Sequence, residues 1–296
     1  MKTNGVNRFI LWLAALIIGL AIIFIVLWLN QEELHLYLNK SQPQKAYAES
    51  ILYSWEMSAV ESKQDQLHKV LMDLQVTTLY QEFSGEFFSK EDSTFISQMK
   101  DQGVEVFHLC GTPEWAFEKQ AESMLLEIDK VLIFNRNAAE PIQGIVFDVE
   151  PYIKEDYTID DLNQYVSNLK KAYAYAQSNH LYMVAVIPYW LERQGDHLLP
   201  EIIENGCDEV SVMNYYISKT TEHIAEELEF ARKHDKWINS IYEMNLDQDG
   251  TFESIGKVQQ DFEKMYDQYR YEKLRIAYHH FGDLSLEGAE KRAVSK

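Results

Sequence analysis

Eight short apolar runs, each separated from the next by a stretch of helical spacing, constrain this chain more than any other feature. The strand candidates are SILYSWE (50–56), TTLYQEF (77–83), VEVFHLCG (104–111) and IQGIVFDVE (142–150). They continue with LYMVAVIPYW (181–190), DEVSVMNYY (208–216), WINSIYEMN (237–245) and LRIAYHHFG (274–282). Between them lie segments such as DQLHKVLMDL, ESMLLEIDKVLIF, IDDLNQYVSNLKKAYAYA and VQQDFEKMYDQY. Their apolar residues recur every three or four positions, the mark of a helix with one buried face. Strands alternating with helices imply parallel pairing through helical crossovers. Eight such units within residues 49–296 match the size of a (β/α)8 TIM barrel. The competing open doubly wound sheet would place a Gly-rich phosphate loop after its first strand, and SWEMSAVESK offers none. The thinnest of the eight is the first, because SILYSWE also reads as the start of the following helix.

Residues 9–29 (FILWLAALIIGLAIIFIVLWL) carry no charge. At about 1.5 Å per residue such a run spans a hydrocarbon layer of roughly 30 Å. Trp12 and Trp28 sit near its ends, where indole rings favour the membrane interface. Lys2 and Arg8 precede the run while Glu32 and Glu33 follow, which predicts a cytoplasmic N-terminus and an extracytoplasmic body. A cleaved signal peptide competes, but its apolar core is shorter, about 7 to 15 residues, with a small-residue cleavage site just beyond. The nearby A-x-A, Ala46-Tyr47-Ala48, lies far past the run. The expected organisation is a cytoplasmic segment (1–8), a transmembrane anchor in the lipid bilayer (9–29), a stalk (30–48) and the barrel (49–296). A formal net charge of −20 argues against nucleic acid and anionic lipid surfaces as partners for that body. Two cysteines, Cys110 and Cys207, fall at opposite barrel ends in this layout and are expected as free thiols.

Reactive groups of such barrels gather at the C-terminal ends of the strands. Read in order, those ends present Trp55 and Glu56, Gln81 and Glu82, then Trp115 just beyond the third strand. Asp148 and Glu150 follow, then Tyr189 and Trp190, then Asn214, Tyr215 and Tyr216. The last two strands end in Glu243 with Asn245 and in His279 with His280. Acids, amides and aromatic rings on one rim suit a sugar, whose ring stacks on aromatic faces and whose hydroxyls meet carboxylates and amides. Asp148 and Glu150 are two apart, so both leave the same face of the strand. Of His279 and His280 at most one reaches the mouth by the same rule, and neither suggests a metal site. Glu56 and Glu82 are left with two roles, lining the cleft or pairing with Arg275.

QGIVFDVEPY resembles the strand-four signature of glycoside hydrolase family 18, the chitinase and endo-N-acetylglucosaminidase group, whose pattern is D-x-x-D-x-D-x-E. Asp148 and Glu150 match its last two acids, while Gln143 and Val146 stand where its first two belong. VMNYY resembles the M-x-Y element of that family, through Met213 and Tyr215. The resemblance implies Glu150 as general acid, with Asp148 and Tyr215 orienting a substrate N-acetyl group that acts as nucleophile. No cofactor is implied. A carboxylate neighbour raises the pKa of a carboxylic acid, so Asp148 is expected to keep Glu150 protonated. Glu243, Asn214, Trp190, Tyr189, Trp115, Glu82 and His280 are the candidate substrate contacts.

Two alternatives remain open from the residues. Glu150 and Glu243 could serve as acid/base and nucleophile of a retaining hydrolase, which needs carboxyl groups about 5 to 5.5 Å apart. A glycan-binding barrel without turnover would instead fit the missing acids at Gln143 and Val146.

Overall fold

The computed structural model describes residues 49–244 and 250–284. The chain divides into two units, Met1–Ala46 and Tyr47–Lys296, and the described residues belong to the second. The anchor expected at 9–29, the stalk before residue 49 and Asn245 lie outside the described residues. Among the described residues, no helix is long and apolar enough to cross a membrane.

All eight expected strands form. They are β1 (Ser50–Ser54), β2 (Thr78–Glu82), β3 (Glu105–Cys110), β4 (Gly144–Phe147), β5 (Tyr182–Pro188), β6 (Glu209–Met213), β7 (Trp237–Glu243) and β8 (Leu274–His279). Each pairs in parallel with the next, and β1 pairs with β8 to close the barrel. Seven crossover helices lie between them: α1 (Gln64–Leu74), α2 (Lys90–Asp101), α3 (Glu122–Asn135), α4 (Ile159–Ser178), α5 (Leu198–Asn205), α6 (Ala225–Lys233) and α7 (Ile255–Tyr269). Local chemistry starts several of them. Ser89 with Asp92 and Thr158 with Asp161 form reciprocal capping boxes on α2 and α4, and Ser254 caps α7. SILYS, the doubtful first run, is a fully buried strand, because pairing on both sides outweighs its local helical alternative.

Alternation along the strands builds two cores. Ile51, Tyr53, Tyr80, Leu109, Val146, Val186, Met213 and Ile241 fill the lumen. Their neighbours in sequence, including Leu52, Leu79, Ile145, Phe147, Val212 and Tyr242, face the helices. This parity decides which rim residue reaches the mouth and which is turned behind it. Both cysteines are free and buried.

Candidate active site at the barrel mouth

β4 ends at Phe147, and Asp148 continues its line by donating its backbone N–H to the carbonyl of Cys110, 2.9 Å away. Pro151 then opens a tight 3-10 turn, Pro151–Ile153, so the two acids lie between the end of β4 and that turn. The approach of β3 to this point is close. A Cβ on Gly111 would stand 2.0 Å from the Asp148 carbonyl oxygen, so only glycine lets the two segments meet there.

Asp148 and Glu150 fall on the lumen parity of β4, above Val146, which sits among the apolar lumen side chains. Asp148 Oδ1 is buried with no hydrogen-bond partner. Burial, reinforced by the charge of Glu150, pushes the Asp148 carboxyl up to about 8. Burial also raises Glu150, while the Tyr152 hydroxyl and His279 pull it back down. The sequence predicts a raised Glu150 with Asp148 as the cause; Glu150 is raised, but by burial. In the structure burial raises both carboxyls, and the further effect of a carboxylate neighbour falls on Asp148 rather than on Glu150.

Tyr215 projects from just beyond β6 and packs against the lumen cluster. Burial raises its phenol, with Asp148 and Glu243 adding to the effect, so both acids flank it. Glu243 closes β7 and pairs in register with His279 of β8, its Oε1 3.6 Å from His279 Nδ1. The His279 ring lies 5.3 Å from that of Tyr215 and 6.1 Å from that of Tyr53. The mouth thus brings together Asp148, Glu150, Tyr215 and Glu243 of the predicted set, and adds His279.

Other predicted contacts stand elsewhere. His280 pairs with Glu56, its Nδ1 3.0 Å from the carboxylate. His279 takes the lumen position, as the alternation through Arg275 and Ala277 requires. Glu56 is therefore not a partner of Arg275, and neither is Glu82; Arg275 pairs with Glu209 and Glu49 at the other end of the barrel. Glu82 is half-buried on the lumen parity of β2, its carboxyl raised by burial and then by Glu56. Asn214 is fully buried and turned outward, donating to the Thr220 carbonyl and to Ser240 Oγ. It ties down the loop after β6 rather than facing a ligand. Trp115 packs edge-on against Phe147 in the outer core. Tyr189 stacks on His223 at 4.0 Å, while Trp190 meets Tyr152 edge-on at 4.9 Å and so borders the acids.

Tyr152 is not among the sequence candidates, and of the two rim histidines the sequence names His280 rather than His279 as the contact. Counting by twos from Arg275 would have chosen His279 over its neighbour. Tyr152 follows Pro151, where no strand periodicity applies. Behind β3, His108, Cys110 and Glu127 gather ligand-type atoms within 4.8 Å of one another. Lys130 Nζ already sits 3.1 Å from the Glu127 oxygen that meets His108, so this group carries its own cation.

No protein-family model matches the chain, and no curated protein sequence matches it. Solved structures do resemble it. A glycoside hydrolase family 18 chitinase from Pseudoalteromonas aurantia superposes with a TM-score of 0.56 at 14% identity, covering 84% of this chain and 99% of that one. The spore cortex-lytic enzyme SleL of Bacillus megaterium gives 0.55 at 12% identity, covering 81% of this chain and 72% of its own. The PgaB glycoside hydrolase domain of Bordetella bronchiseptica gives 0.51 at 10% identity, covering 82% and 98%. At such identities the likeness is one of fold: an eight-stranded parallel barrel shared with chitinases and related glycosidases.

Proposed function

We propose that the barrel is a glycoside hydrolase acting on a glycan with N-acetylhexosamine units, and that residues 9–29 anchor it beside the cell envelope. The carrying observation is the pair of buried carboxyl groups in unequal environments, Asp148 and Glu150, at the mouth of a barrel shared with glycosidases. Two neighbouring acids whose environments push their pKa values apart divide the roles of proton donor and orienter.

In this reading Glu150, nearer the opening, protonates the glycosidic oxygen as the bond to C1 breaks. The acetamido oxygen of the same sugar attacks C1 from the opposite face, giving an oxazolinium ion and a released alcohol. Asp148 and Tyr215 hold the acetamido group for that attack. Water then adds to C1 and displaces the acetamido oxygen as the Glu150 carboxylate takes the water's proton, so the acetamide is restored and the anomeric configuration is retained. Val146 and Gln143 enter as differences from the family pattern. Gln143 lies before β4, its side chain turned back to the Pro141 carbonyl, remote from the mouth. Val146 replaces a second carboxyl below Asp148 by an apolar surface, which itself favours the protonated form.

The test is digestion of cell-wall and surface-polysaccharide fragments with the full-length chain, read by product mass. Turnover should fall severely in Asp148→Asn and Tyr215→Phe, and a thiazoline mimic should inhibit. Glu243 favours a second reading, because it ends β7 on the same mouth and flanks Tyr215. If Glu243 is a nucleophile, Glu243→Gln abolishes turnover and azide rescues it as a glycosyl azide. Binding without cleavage across the panel, unchanged in Glu150→Gln, would leave a glycan-binding barrel. For the anchor, protease added to intact cells should remove the barrel and spare a tag at Met1; a protected barrel refutes it.

A further inference from the structure

Of the tryptophans among the described residues, only Trp55 packs against the apolar cluster that fills the lumen. It stands one residue beyond β1, on the parity of Ile51 and Tyr53, and is half-buried there. Its backbone is fixed on both sides. Ser54 pairs in register with Gln81, whose Nε2 donates to the Glu56 carbonyl at 3.2 Å and to the Glu82 carbonyl at 2.8 Å. In the closed ring β1 stands beside β8 and three places from β4, so Trp55 and the two acids rise from facing walls of the mouth. The aromatic residues that the sequence puts forward as sugar contacts are engaged otherwise. Trp115 packs in the outer core, Tyr189 stacks on His223, and Trp190 meets Tyr152 edge-on.

We propose that Trp55 is the sugar-binding wall of the mouth, its indole taking the apolar C–H face of the pyranose whose glycosidic bond meets Glu150. This rests on the reading of the mouth as a glycan site. A pyranose carries its hydroxyls around the edge and its hydrogens on the two faces. The acids can serve the edge and the glycosidic oxygen, but fixing the face takes a flat apolar surface on the opposite wall. Indole offers a large rigid one, and a strand end holds it more precisely than a loop does. Specificity follows from the same contact. The stack admits β-linked gluco-configured units, whose ring substituents all lie equatorial, and disfavours an epimer with an axial hydroxyl on the stacked face.

The test measures binding apart from turnover. The full-length Glu150→Gln chain in detergent is titrated by NMR with the β-1,4-linked tetramer of N-acetylglucosamine and with the fragments of the digestion panel. Sugar ring protons should shift upfield under the indole ring current. Trp55→Leu, added to that chain, keeps an apolar filling on the lumen cluster but no flat face. It should remove the shift and weaken binding about 10–100-fold, the effect of burying one large apolar side chain. Trp55→Phe should restore part of both, and serves if the leucine variant does not fold, its shift then being smaller than the parent's. In the chain that keeps Glu150, KM should rise by a similar factor while kcat changes less. Binding and shift unchanged in a folded Trp55 variant overturn the proposal and leave the hydrolase reading standing if the wild type cleaves. Binding lost in Trp55→Leu, beside a wild type that cleaves nothing, upholds the wall and rejects the hydrolase. A panel in which nothing binds overturns both.

Discussion

The two ends of the lumen hold the same kinds of side chain in opposite conditions. At the base, the Arg275 guanidinium pairs with Glu209 and with Glu49, 3.0 Å away, while its Nε donates to Asn239 Oδ1 at 3.1 Å. The indole of Trp237 covers it at 4.5 Å. Glu209 also accepts from Tyr80, Tyr182 and Asn239, so the charges below the hydrophobic layer are saturated. At the mouth, Asp148 Oδ1 and His279 Nδ1 are buried with no hydrogen bond made. Buried polar groups normally find partners, and each exception calls for an explanation. The base satisfies its polar groups within the barrel; the mouth leaves these two atoms without a hydrogen bond.

If that division holds, replacements at the mouth change turnover and replacements at the base change stability. The largest effect is expected for Glu150→Gln, with turnover lower by about 10²–10⁴-fold, the usual worth of general acid catalysis. Its unfolding midpoint should be held or raised, since a buried acid has been replaced by a neutral amide. Steady-state assays and urea unfolding on the full-length chain read the two quantities. Arg275→Met should do the reverse, destabilising by about 3–5 kcal/mol because Glu209 is left as an uncompensated buried charge. Turnover per folded molecule should persist, and its loss without a change in stability would erase the contrast between the two ends.

Asp148 sharpens the comparison through pH. Its carboxyl is held up to about 8 in the folded chain, against an ordinary value of 3.8. Between those values the native state binds a proton that the unfolded chain does not, so stability falls as pH rises. The contribution is whole below the lower value and lost through the upper one. Asp148→Asn removes that slope. From pH 4.5 to 8 the wild type should lose on the order of a few kcal/mol more than the variant, measured by urea unfolding. Equal slopes would mean that Asp148 is not held protonated. Gly111→Ala should have the smallest effect of the set, about 1–3 kcal/mol of stability for the forced separation of β3 from Asp148. A loss of turnover should accompany it, because the backbone that must give way belongs to Asp148 itself.

The acids of β4 were legible because their chemistry and their spacing point the same way. Two carboxyls two residues apart, at the end of an apolar run in an eightfold pattern, leave one face and one rim to occupy. Asn214 carried a similar signal, adjacent to a motif residue on β6, yet one step along a strand reverses the side. Its amide holds Thr220 and Ser240 behind the barrel wall. Of the two histidines that follow Tyr278, His280 pairs with Glu56 and His279 meets Glu243. Trp115 follows β3 in a 3-10 turn, Pro113–Phe117, where strand alternation no longer tells a lumen position from an outer one.

Period and order were in the chain from the start: eight strands, their parallel sense, their closure, and a rim bearing acids and aromatic rings. These follow from local spacing of apolar residues and from the length of the crossovers, which any reader of the chain can count. How strongly each carboxyl is raised was decided only by the fold, because desolvation depends on what surrounds a group in space, and Asp148 is the more deeply enclosed of the two. The partners of Arg275 were likewise a tertiary outcome, since Glu209 lies 66 residues away and Glu49 lies 226 away. Closure of the barrel alone sets them at one level of the lumen.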